Sequence, residues 1–116
     1  MVQVLWQNDG KCIALYVQGH ADAGPVGHDL ICAAVSALVQ TAVYAAMRIA
    51  HEETPRSFLT SGHAALLCRC RTGREHRRLY DALSVVEDGL LLLSQNYPEH
   101  IRIIKPLTAE KRREST

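Results

Sequence analysis

From Val2 to Gln7 the chain reads VQVLWQ, apolar and polar in turn, and it pauses at Asn8-Asp9-Gly10. The alternation resumes from Cys12 to Gln18, with Ile13, Leu15 and Val17 on one side. Successive strand side chains point to opposite faces, and Asn, Asp and Gly accept tight-turn geometry, so these residues predict a β-hairpin. The spacing then changes. Ile31, Ala34, Val35, Leu38, Ala42, Val43, Ala46 and Ile49 recur in steps of three and four, the signature of an amphipathic helix. Asp29 is placed to cap it by accepting the N–H three residues on, that of Cys32. The helix is expected to run to about His51, with Thr54-Pro55 closing it. Between hairpin and helix, Gly19, Gly24 and Gly27 make a pliable loop, restricted locally by Pro25.

The second half repeats this grammar. Ser57–Thr60 and His63–Cys70 flank Ser61-Gly62 and predict another hairpin. Thr72-Gly73-Arg74-Glu75 has the form of a capping box. A second helical stripe follows through Leu79, Ala82, Leu83, Val86, Leu90, Leu93 and Tyr97, interrupted by Gly89 at a cost of about 1 kcal/mol relative to alanine. A tight contact between helices is one reason for such a glycine. Pro98 ends the stripe, and His100–Lys105 reads as a last strand. The order ββαββαβ predicts an α+β fold, a mainly antiparallel sheet with two helices packed on one face. Residues 1–108 are expected to form one domain, with a mobile tail after Pro106 that includes a basic segment, 109–116.

Composition adds limits. A chain of 116 residues with 47% hydrophobic and 22% charged content fits a single globular domain. A net charge of +1 disfavours a strongly basic nucleic-acid binder. Arg69, Arg71, Arg74, Arg77 and Arg78 nonetheless cluster, which fits a solvated face or a contact with RNA or another acidic partner. The start of the chain lacks the basic region of a signal peptide. The apolar stretches look too short and too interrupted to span a bilayer. Both readings point to the cytoplasm, where Cys12, Cys32, Cys68 and Cys70 are expected to be thiols.

The candidate chemistry gathers between Gly19 and Ser36. A thiol in the first turn of a helix faces free N–H groups and the positive end of the macrodipole, which favours thiolate, the nucleophilic form. Cys32 is either such a nucleophile or a small buried hydrophobe. His20, where a strand runs into the loop, is a surface histidine or the base that takes the thiol proton. Asp29 is a cap, or a third group orienting His20. Ser36, one turn after Cys32, bonds back to the helix backbone or touches substrate. His28 is exposed or binds substrate. The Cys32 backbone N–H is a candidate oxyanion donor. Cys68-Arg69-Cys70 lacks the matched second pair of a zinc site, and core packing of Cys68 is the better reading. Neither a metal nor a cofactor is expected.

Gly19-His20-Ala21, five residues, then Gly27-x-Asp29-x-x-Cys32-Ala33-Ala34-x-Ser36 resembles the signature of the ribosomal-processing cysteine proteases, the Prp family. Tyr97-Pro98-x-x-Ile101 is similar to that family's chain end. Pro25 and His28 depart from the usual loop. The resemblance implies a homodimeric cysteine endopeptidase that removes a short N-terminal extension from a large-subunit ribosomal protein, after an apolar segment containing aromatic residues. By motif position it implies Cys32 as nucleophile, His20 as base, and Asp29 and Ser36 as supporting residues. Gly19, Ala21, Gly24, Gly27 and His28 become the substrate loop. The alternative from the basic residues is a non-enzymatic ribosome-associated or RNA-binding module with a structural Cys32.

Overall fold

The computed structural model describes residues 1–21, 29–50 and 56–108. Its elements follow the expected order: β1 (Val2–Asn8), β2 (Cys12–Gln18), α1 (Leu30–Ile49), β3 (Arg56–Thr60), β4 (His63–Arg69), α2 (Gly73–Asn96) and β5 (Ile101–Lys105). The strands form one sheet in the order β3-β4-β2-β1-β5. Every pairing is antiparallel except that of β1 with β5. A fully antiparallel sheet would need β5 to run the other way. The α2 crossover returns it parallel to β1, as a strand–helix–strand connection does.

The alternation in each strand sets the layers. Val2, Val4, Trp6, Ile13, Leu15, Val17, Ala64, Leu66 and Cys68 are buried beneath the helices. From α1 the row Ile31, Val35, Val39, Ala42, Ala46 and Ile49 completes the core. Val39 joins this row because it lies four residues beyond Val35. Leu38 turns instead toward α2. A Cβ on Gly89 would lie 2.7 Å from Leu38 Cδ2, so the glycine does mark a close helix–helix contact.

Four expectations are corrected. First, α1 is 20 residues long with hydropathy 1.9, enough by length and composition to cross a bilayer. Its buried row packs on the sheet as a core helix does. Second, Tyr97 lies outside the buried stripe: it is the C-cap of α2 and is exposed. Third, the chain after Pro106 is not loose at its start. Leu107 and Thr108 are buried, and the buried Glu87 carboxylate accepts from both of their N–H groups and from the Thr108 hydroxyl. The segment 109–116 lies outside the described residues. Fourth, Thr72 caps α2 by accepting from Glu75 N–H at 3.1 Å, but the Glu75 carboxylate reaches back to the Arg71 N–H, one residue before the cap.

Candidate active site

Cys32 sits in the first turn of α1 because Asp29 starts the helix there. The Asp29 side chain accepts from Ile31 N–H at 3.1 Å and Cys32 N–H at 3.0 Å. Asp29 is thus the N-cap of α1. The Cys32 N–H, expected as an oxyanion donor, meets the Asp29 carboxylate here. A different backbone donor meets the sulfur: Ala21 N–H points at Cys32 Sγ, 3.2 Å away. An N–H donated to sulfur stabilises the thiolate more than the thiol.

Ala21 is buried, and it immediately follows His20. Fixing Ala21 on the sulfur therefore brings the imidazole-bearing residue to the helix start. His20 and Cys32 line one cleft of about 330 Å³, together with Ser36, Gly19 and the β3–β4 turn at Ser61, Gly62 and His63. Cys32 is half-buried and His20 exposed. The floor is apolar: Val2, Val17, Val35, Val39 and Ala64. The Ser36 hydroxyl accepts from the Gln40 side chain at 3.1 Å. Gly24, Gly27 and His28, expected in the substrate loop, lie outside the described residues.

Two positioning features escape the sequence pattern. Gly19 N–H donates to Gly62 O at 2.8 Å, joining the end of β2 to the second hairpin turn. The His20 ring packs over that turn, and a Cβ on Gly62 would come within 2.8 Å of His20 Nε2. Gly62 read only as turn chemistry, and nothing local signals its distant neighbour. The second feature is His100, whose Nδ1 donates to Ala21 O at 2.6 Å. A carbonyl only accepts, so Nδ1 carries the proton.

The remaining cysteines behave differently. Cys68 is fully buried in the core, and burial pushes its thiol up to about 12, with Cys70 beside it adding to the effect. Cys70 is also raised, chiefly by burial. Among the described residues no group of three or more His, Cys, Asp or Glu side chains is arranged to hold a metal ion.

A family model for cysteine protease Prp matches residues 1–102. The chain belongs to the cysteine protease Prp family. The ribosomal processing cysteine protease Prp of Staphylococcus aureus is 26% identical over 102 residues, covering 88% of this chain and 94% of that protein. The crystal structure of the essential S. aureus ribosomal processing protease Prp with a covalently linked product peptide superposes with a TM-score of 0.70 at 27% identity. That match covers 90% of this chain and 99% of the other. The S. aureus Prp complex with a substrate peptide gives a TM-score of 0.67 at 26% identity, again over 90% and 99% of the two chains. A protein from Streptococcus mutans shares the fold, with a TM-score of 0.69 at 22% identity over 91% of this chain and 94% of its own. The ββαββαβ order and the cleft thus belong to a Prp-type cysteine protease.

Proposed function

We propose that this protein is a cysteine endopeptidase of ribosome maturation, removing a short N-terminal extension from a large-subunit ribosomal protein in the cytoplasm. Family membership supports the activity and the substrate class. The observation that carries the residue roles is the shared cleft of His20 and Cys32, with a backbone N–H already donated to the sulfur.

The Cys32 thiolate attacks the scissile carbonyl carbon, and the carbonyl π pair moves to oxygen. Collapse of that intermediate forms a thioester and breaks the C–N bond. The His20 imidazolium gives its proton to the departing amine. Neutral His20 then takes a proton from water as the water attacks the thioester, breaking the C–S bond to release the carboxylic acid and restore the thiolate and imidazolium. Asp29 fixes the helix turn that carries the sulfur. The apolar floor suits an apolar side chain of the substrate.

The non-enzymatic reading needs a structural Cys32. A half-buried Cys32 on the cleft wall beside His20 argues for chemistry instead. Homodimerisation is supported by exposed apolar residues on the helix layer, Leu30, Tyr44, Met47, Val85 and Leu92. Light scattering on the purified protein tests it.

The decisive experiment incubates the protein with ribosomal-protein precursors carrying N-terminal extensions and reads product termini by mass spectrometry. Cys32→Ala and His20→Ala are expected to abolish cleavage with the fold intact. Cys32→Ser is expected to be nearly inactive, since a hydroxyl stays protonated near neutrality. Substantial cleavage by Cys32→Ala sinks the mechanism.

A further inference from the structure

Ala21 is held from three sides. Its methyl group is buried, its N–H meets Cys32 Sγ at 3.2 Å, and its carbonyl accepts from His100 Nδ1 at 2.6 Å. His100 is itself anchored. Its carbonyl accepts from Val2 N–H at 2.8 Å, and its N–H donates to Tyr97 O at 3.0 Å. It therefore hangs between the end of α2 and the β1–β5 pair.

We propose that His100 is a positioning residue for the reactive sulfur: by gripping the Ala21 carbonyl it keeps the Ala21 N–H aimed at Cys32 Sγ. This rests on the reading of Cys32 as nucleophile. The peptide group that points at the sulfur is also the one joining His20 to Ala21, so one grip orients the thiolate's donor and the backbone that bears the base. The grip holds in the neutral Nδ1–H tautomer and in the imidazolium, since both donate from Nδ1. Without it the residue between strand and loop loses its outer anchor, the N–H···S geometry loosens, and the thiolate loses a hydrogen bond that favours it. The sulfur then becomes reactive only at higher pH. Around it stand His20 and His63 across the cleft and the Asp29 carboxylate at the helix start, all unchanged by a substitution at His100.

The test is the pH dependence of Cys32 alkylation by iodoacetamide in the native protein, His100→Ala and His100→Asn. In His100→Ala the midpoint is expected to rise on the order of one pH unit, slowing alkylation at pH 7 about tenfold. His100→Asn is expected to stay near the native profile, because its side-chain amide donates from a similar δ position. A lowered melting temperature with an unmoved profile would mean a structural role only and overturns the proposal. If His100→Ala does not fold, nitrogen-15 spectra of the native protein decide. A protonated Nδ1 hydrogen-bonded to a carbonyl supports the grip, and a ring protonated only at Nε2 overturns it. Failure here is distinct from failure of the protease reading, which falls if Cys32→Ala still cleaves the precursor whatever His100 does.

Discussion

Gly10 and Gly62 both sit in hairpin turns with positive φ, 88° and 81°, yet their surroundings differ. A Cβ on Gly10 meets nothing within 4 Å, while one on Gly62 meets the His20 ring. Alanine at either site pays for left-handed backbone, about 1–2 kcal/mol. Only Gly62→Ala also displaces the imidazole. Urea melts are expected to show similar losses for the two variants. Cleavage rates are expected to fall about 10- to 100-fold for Gly62→Ala and to hold for Gly10→Ala. Equal rates would show that the turn does not position His20. At this scale the sequence was legible where causes are local. Asp29 caps a helix three residues before Cys32, so cap and thiol could be read from neighbouring letters. Gly62 and His100 act on residues far along the chain, in the case of His100 79 positions away, and no spacing rule encodes such a contact.

Among the elements, α2 carries two unusual residues. Gly89→Ala gains helix propensity of about 1 kcal/mol but brings a methyl group against Leu38. Chemical denaturation is expected to show less than that gain in the native background and its recovery when Leu38→Ala makes room. Equal effects in both backgrounds would remove the close-contact explanation. Two residues earlier, Glu87 secures the chain after β5. Glu87→Ala leaves buried donors on Leu107 and Thr108 without their acceptor, and is expected to cost about 2–4 kcal/mol. Glu87→Gln, which keeps an acceptor oxygen, is expected to cost less. Element types and order could be read from periodicity, because period two and period 3.6 report directly which face is buried. Glu87 broke that rule: a carboxylate on the apolar stripe looks like an edge until its partners, some twenty residues on, are known.

The whole molecule folds around thiols that ionise poorly. Cys68 and Cys70 are raised by burial, Cys68 to about 12 from an ordinary 9.0. In the unfolded chain both release protons near their ordinary values, while the folded protein still holds them. The stability linked to them is therefore complete below about 9 and is lost as pH climbs toward about 12. Urea midpoints between pH 8 and 11 are expected to fall more steeply for the native protein than for Cys68→Ala, which loses the Cys68 share of this dependence as well as some packing. Matching slopes would show that these thiols do not govern alkaline unfolding.

Val2, Val17, Val35, Val39 and Ala64 are at once core residues and the floor of the cleft. No intervening layer separates the architecture from the catalyst. A substitution chosen to repack the interior here re-contours the bed on which a peptide rests, and a change selected for a new cleavage preference is felt as a change in foundation. The molecule can vary its rim cheaply, but its taste for substrate and its ability to stand share the same few methyl groups.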